Sequence, residues 1–246
     1  MMRHRVKIQK KVWFSPSIFG IEFYLPGINP EPGQFFQIQV SNTLDPFLNR
    51  PISIADYNKN RILLIIKVVG RGTQILSRIG VGDELNIFGP FGKGVKITDK
   101  KGILIAGGIG VAPLYFLARK LKARGIDFTF IYGAKTPADL ILKKELKMIA
   151  PRFDFITETG GRKRGTVLSL LEGISLSDFK VGYACGPKQM LKELKDMDLK
   201  IPIYAFCEDF LGCGCGLCLG CAIRYNGEYK RICEDGPVFE LRGIEF

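Results

Sequence analysis

The sequence predicts a multi-domain chain: an antiparallel β-barrel over residues 1–98, an α/β domain on a parallel sheet over 99–203, and a small β-rich domain over 204–246. Three observations carry this. Up to about Phe88 the chain reads as short apolar-rich strands broken by turn residues, such as Gly20–Leu25, Gln34–Val40 and Arg61–Val69, with Pro26-Gly27, Pro32-Gly33 and Asn58–Asn60 between them. Six or so short strands at close spacing suggest an antiparallel barrel, with one short helix around Thr73–Ile79. From Ile103 the pattern alternates. A buried-strand run (Ile103–Ala106) and a glycine turn lead into a helix over Pro113–Arg124. The strands Phe128–Tyr132, Phe153–Thr157 and Val181–Cys185 then alternate with helices over Leu140–Ile149, Val167–Leu171 and Lys188–Met197. Strands alternating with helices mean a parallel sheet. From Ile203 onward the chain turns Gly/Cys-rich and then β-like, with Asn226-Gly227 as a hairpin turn.

Composition narrows the function classes. A 246-residue chain with 46% hydrophobic and 24% charged residues is long and apolar enough for globular cores. No run approaches the roughly 18 apolar residues of a membrane span, and the basic, strand-like Met1–Trp13 lacks the apolar stretch of a secretory signal. The expectation is a cytoplasmic protein with no membrane contact. The net charge is +12. It is unevenly placed, because seven acidic and four basic residues in Tyr204–Phe246 leave +15 on the first 203. No nucleic-acid motif accompanies this charge, so nucleic acid is not an expected partner. One histidine, His4, near the terminus, excludes His-rich metal sites, Ser-His-Asp catalysis and a Rieske centre, which needs two.

Five of seven cysteines lie between Cys213 and Cys233. An odd count in a chain of this size argues against a disulfide scaffold and for metal. Cys213, Cys218, Cys221 and Cys233 give C-x4-C-x2-C-x11-C. The first three match plant-type [2Fe–2S] spacing, and Gly212, Gly214, Gly216 and Gly220 let backbone N–H groups approach sulfur. The alternative is a structural zinc site, although zinc normally takes two C-x2-C knuckles and here there is one. Cys215 could replace Cys213, at the expense of the spacing; it reads as a non-ligand. Cys185 and Cys207 read as buried residues on composition alone.

Two further segments suit nucleotides. In Arg50-Pro51-Ile52-Ser53 the guanidinium can pair with a pyrophosphate and the hydroxyl with a phosphate or ring edge; the same tetrapeptide also suits an ordinary turn-to-strand junction. Lys67-Val-Val-Gly-Arg-Gly72-Thr73 then opens a predicted helix, whose first N–H groups favour phosphate. In Ala106-Gly-Gly-Ile-Gly-Val-Ala-Pro113, between strand and helix, Gly107, Gly108 and Gly110 allow close approach of a dinucleotide and Pro113 suits a first helical turn. A second turn, Cys185-Gly186-Pro187, ends a later strand, where such sheets bind ligands.

Taken in order, RPIS, GT, GGIGVAP, CGPKQM and the C-terminal cysteine run resemble the ferredoxin–NADP reductase superfamily over essentially the whole chain. RPISIAD (Arg50–Asp56) and CEDGPVF (Cys233–Phe239) are most similar to the electron-transfer subunits of NAD-dependent dihydroorotate dehydrogenases of the pyrimidine pathway. The resemblance implies FAD on Arg50, Pro51, Ile52, Ser53, Ile65, Ile66, Lys67, Gly72 and Thr73. It implies NAD at Gly107, Gly108, Gly110, Pro113, Cys185, Gly186 and Pro187, and the cluster on Cys213, Cys218, Cys221 and Cys233. It also implies an FMN-containing catalytic partner, in a complex of two of each chain, with no residue of this chain acting on the partner's substrate. The family pattern is usually apolar at position 215, and its hairpin before the last cysteine is often longer. Related readings are the small subunits of NADH-dependent ferredoxin:NADP oxidoreductases, sulfide dehydrogenases and soluble hydrogenases. A reading of another class is a zinc-stapled nucleotide-binding regulatory module.

Overall fold

Period-two burial closes the first part of the chain on itself. The computed structural model describes residues 2–41 and 43–246. Its first strands are β1 (Arg3–Ser15), β2 (Ile18–Tyr24), β3 (Phe35–Ile38), β4 (Arg50–Asn58) and β5 (Arg61–Lys67), followed by helix α1 (Arg71–Leu76) and β6 (Glu84–Phe91). The six strands form a closed barrel in the order β1-β2-β5-β4-β3-β6. Phe19, Ile21 and Phe23 on β2 and Ile62, Leu64 and Ile66 on β5 fill its core, every second side chain pointing inward. The β4–β5 hairpin closes through Lys59 (φ 49°) and Asn60 (φ 65°), both left-handed, the two-residue turn that suits strand twist. β3 is shorter than the expected 34–40 run; at its start the Gln34 side chain accepts from Glu31 N in the preceding turn and donates to Gly92 O just beyond β6.

The second part builds a sheet whose central strands are buried on both faces, as in parallel sheets. Its elements are β7 (Gly102–Gly107), α2 (Val111–Ala123), β8 (Phe128–Ala134), α3 (Lys143–Ile149) and β9 (Arg152–Thr157), then α4 (Val167–Glu172), β10 (Val181–Cys185), α5 (Lys188–Asp196) and β11 (Ile203–Phe206). Helix α3 begins three residues later than expected because Leu142 is left-handed (φ 57°) and cannot continue a helix. The chain ends with β12 (Ala222–Tyr225), β13 (Glu228–Arg231), α6 (Ile232–Asp235), β14 (Val238–Glu240) and β15 (Ile244–Glu245). β13-β12-β15 form a small sheet, turned at Asn226-Gly227 as the sequence predicts.

The order of the large sheet is β14-β11-β10-β7-β8-β9, with only β14 antiparallel. The expected 203/204 boundary therefore falls inside β11, and the last segment returns a strand to the sheet it was expected to leave. Helix α2 helps tie the barrel to this sheet through two of its residues. Phe116 on α2 packs into the barrel core, and Arg119 Nη1 on α2 reaches Asp56 Oδ2 on β4 at 2.7 Å. No helix among the described residues is long and apolar enough to cross a membrane.

Candidate functional site

Sheet topology locates the crevice before any side chain is considered. From β7 the chain winds outward through β8 and β9, then crosses to place β10 on the other side of β7. The carboxyl ends of β7 and β10 therefore flank the switch point, where open α/β sheets bind ligands. Gly107 and Cys185 are those ends; Cys185 pairs with Ala106, and Gly107 lies one residue beyond that ladder. Gly107, Gly108, Gly110, Gly186 and Pro187 line a cavity of about 350 Å³ there. Gly110 is required by packing: a Cβ there would meet Cys185 C at 2.5 Å and Gly186 N at 2.9 Å, with Cys185 O closer still. The Cys185 side chain is buried in the sheet instead of facing this cavity, and burial pushes its thiol well above the ordinary range. Only its backbone frames the site. Pro113, at the start of α2, faces a different cavity.

That other cavity, of about 330 Å³, lies where the barrel meets α2 and β11. Arg50, Pro51, Ile52, Ser53, Ile65, Ile66, Lys67 and Thr73 all line it, together with Pro113. Its walls are mainly apolar, with Arg50 and Lys67 supplying positive charge. Gly72 is not part of the wall. A Cβ there would come within 2.6 Å of Arg50 Cζ, so Gly72 makes room for the guanidinium. Thr73 directs its hydroxyl inward, accepting from Val69 N and Gly70 N and donating to Gly70 O, and so fixes the turn into α1.

The two cavities share a wall made of Lys67, Ile109, Cys207, Glu208, Asp209 and Ile232. Burial pushes the Cys207 thiol up to about 12, so it stays protonated. Glu208 has solvent-exposed surface, yet its place between the domains raises its carboxyl through desolvation.

The cysteines form two pairs. Cys213 Sγ accepts from Cys215 N at 3.4 Å and from Cys218 N at 3.3 Å, while Cys213 N donates to Cys218 Sγ at 3.5 Å. Cys221 Sγ lies 3.2 Å from Cys233 Sγ, which also accepts from Gly216 N at 3.1 Å. Burial acts to raise the Cys213 thiol, but the N–H groups of Cys215, Cys218 and Leu217, with the Cys218 thiol, reverse this and bring it to about 6. Burial, then the bonded Cys221 thiol, push Cys233 up to about 12. Among the described residues no three His, Cys, Asp or Glu side chains converge on one point as a single tetrahedral ion requires. Two pairs of thiols are the donor set that two irons with two thiolates each would take. Backbone N–H groups already aimed at sulfur are the hydrogen bonds that stabilise such a centre.

Comparison with known proteins agrees with this geometry. A model described as the iron-sulfur cluster binding domain of dihydroorotate dehydrogenase B matches residues 208–245. A second, the oxidoreductase NAD-binding domain, matches residues 104–196. The dihydroorotate dehydrogenase B (NAD(+)) electron transfer subunit of Caldanaerobacter subterraneus subsp. tengcongensis is 36% identical, covering 100% of this chain and 98% of its own length. The subunit of the same name from Geobacillus kaustophilus is 35% identical over 85% of this chain and 84% of its own. The chain belongs to the family of dihydroorotate dehydrogenase B electron transfer subunits. A solved structure of NADH-dependent reduced ferredoxin-NADP oxidoreductase superposes with a TM-score of 0.89 at 27% identity, covering 98% of this chain and 89% of that one. Phthalate dioxygenase reductase shares the fold at a TM-score of 0.66 and 21% identity.

Sequence reading of this family member missed several residues that the fold brings in. Cys207-Glu208-Asp209 follow β11, and the carboxyl end of a fifth parallel strand is itself a signal for a ligand site. Ile232 was findable only as the neighbour of Cys233. Gln37 and Leu211 gave no signal, since a lone polar strand residue and a loop leucine read as ordinary.

Proposed function

We propose that this electron transfer subunit passes electrons between NAD(H), bound at the β7/β10 crevice, and a catalytic partner, through FAD in the barrel cavity and a [2Fe–2S] cluster on Cys213, Cys218, Cys221 and Cys233. FAD held there would supply the conversion between the two electrons of a nicotinamide hydride and the single electrons a cluster carries. The observation that carries the reading is continuity. The two cavities share a wall, and Ile232 in that wall is covalently next to Cys233. Nucleotide, flavin and cluster sites thus follow one another without a gap.

The chain's own residues divide the work. Arg50 offers a forked cation for a pyrophosphate. Pro51, Ile52, Ile65 and Ile66 give a flat ring system an apolar slot, while Ser53 and Lys67 supply polar contacts at its rim. Gly107, Gly108, Gly110, Gly186 and Pro187 bring backbone, not side chains, against the dinucleotide. Cys207 remains a neutral thiol and fills the shared wall without adding charge. No side chain is needed as a general base, because hydride transfer moves no separate proton from the nicotinamide.

The partner is an FMN-containing catalytic subunit, assembled two to two with this chain. Phe210, Leu217 and Leu219, in and beside the cysteine loop, are exposed and apolar, a surface suited to a protein partner. The seven cysteines are all free, in keeping with a reducing cytoplasm. The identity of 36% over the full chain favours this partner over that of the ferredoxin-NADP oxidoreductase subunit, at 27%. The test is an absorption spectrum of anaerobically purified protein before and after NADH. A flavin band with a broad cluster shoulder, both bleached by NADH, supports the reading; a colourless protein with one zinc overturns it.

A further inference from the structure

Gln37 is a buried polar residue that the proposed electron path does not account for. On β3, Phe36 and Ile38 point into the barrel core, so Phe35 and Gln37 point the other way. Gln37 pairs in register with Pro51 of β4, a wall of the flavin cavity. Its side chain extends away from the barrel to the cysteine loop, where Nε2 donates to Leu211 O at 3.4 Å. A Cβ on Gly214 would lie 2.7 Å from Gln37 Cγ and 2.9 Å from Nε2, so the amide packs directly on the turn between Cys213 and Cys215. Gly214 is left-handed there, at φ 75°.

The amide is 1% exposed, and Oε1 has no hydrogen-bond partner among the described residues. Burying an amide oxygen without a donor is unfavourable, and barrel packing alone gives no reason to keep one at this position. The nitrogen must be the atom facing Leu211, because a carbonyl needs a donor. Nε2 is therefore engaged with Leu211 O and packed on the turn at Gly214, and Oε1 is the atom left without a partner among the described residues.

We propose that Gln37 is a positioning residue for the iron–sulfur centre: it ties the segment entering Cys213 to the flavin barrel, and its amide sets part of the cluster's electrostatic environment. The inference rests on the ligand reading above. Donors near the sulfurs favour the reduced, more negative cluster. Removing this donor lowers the midpoint potential, and releasing Leu211 loosens the loop.

The test uses the full chain carrying Gln37→Met, unbranched and of similar length but without the N–H donors, and Gln37→Leu, apolar and of similar volume. Flavin content, iron content, low-temperature EPR and the cluster midpoint potential are measured for each. At a potential where the parent cluster is half reduced, the expected reduced-to-oxidised ratio falls roughly 2- to 10-fold, the range of one net hydrogen bond. Shifted g-values and faster iron loss to a chelator accompany it, while flavin content is unchanged. If either variant fails to fold, the other carries the measurement. Potentials, g-values and iron-loss rates equal to the parent's overturn the proposal alone. A parent without a cluster signal overturns it together with the ligand reading.

Discussion

Replacing Gly110 by alanine tests whether the β7/β10 crevice is built by backbone contact. Gly110 has ordinary helical geometry (φ −58°), so the substitution adds no dihedral strain. The new methyl lies instead 2.5 Å from Cys185 C and 2.9 Å from Gly186 N, with Cys185 O closer still. A comfortable C···O approach is about 3.3 Å, and none of these atoms belongs to a side chain that could rotate away. The end of β10 must move about 1 Å from the start of α2. Overpacking of this kind costs about 1–3 kcal/mol, or roughly 2–12 °C in melting temperature for a chain of this size. The same displacement moves Gly186 and Pro187, which line the dinucleotide cavity. A misplacement of about 1 Å can slow a positioned reaction about 100-fold. Stopped-flow reduction of the flavin by NADH is therefore expected to slow at least tenfold while iron content holds. Gly108→Ala is the contrast. Its Cβ meets nothing within 4 Å, but φ is 54°, so it costs about 1–2 kcal/mol in strain and leaves β10 in place. A Gly110→Ala protein that melts with the parent and accepts hydride at the parent rate would refute this account of the crevice.

Three further outcomes are expected. Serine at Cys213, Cys218, Cys221 or Cys233 abolishes or reshapes the cluster's visible and EPR signals, whereas Cys215→Ser leaves them and the iron content intact. Arg50→Gln removes charge-assisted hydrogen bonds of about 1.5–3 kcal/mol, so the flavin dissociation constant, read by fluorescence on reconstitution, rises about 10- to 100-fold. Arg119→Ala strands the Asp56 carboxylate, whose pKa burial already raises against the pull of Arg119. With Arg119 partly exposed, the loss at neutral pH is about 1–2 kcal/mol. Since a raised acid pKa means the folded state takes up the proton more readily, that loss shrinks as pH falls through the folded pKa of Asp56, which urea unfolding at several pH values measures.

What the sequence made legible is what has a short-range cause. Strand alternation over 18–24 and 61–67, glycine turns after β7 and β10, and the spacing of Cys213, Cys218 and Cys221 all act within a few residues, so a linear reading finds them. The misplacements have long-range causes. Pro113 looked like part of the dinucleotide turn, but α2 is clamped to the barrel by Phe116 and Arg119, and this turns its first residues toward the flavin cavity. Cys185 looked like a contact residue because it ends a strand, yet its side chain points into the sheet while only its carbonyl frames the crevice. Gln37 fits the polar half of an alternating strand; its burial depends on a loop more than 170 residues away, at Leu211.

The return of β14 explains why the three sites stay in line. A cluster domain joined only through β11 could swing about that strand, and the spacing between Cys233 and the flavin cavity would vary. Instead the chain leaves Cys233, turns at Gly236-Pro237 and pairs Val238, Phe239 and Glu240 with β11. Pro237 lines the flavin cavity, and its carbonyl accepts from Cys207 N at 2.8 Å. A Cβ on Gly92 of the barrel would lie 2.7 Å from Pro237 Cδ, so the barrel closes on the same turn. Residues 232–240 thus touch barrel, sheet and cysteine loop within one short stretch. Packing against all three fixes the segment Cys233–Phe239, so on the proposed ligand set the same stretch that supplies Cys233 also holds its distance from the flavin cavity constant.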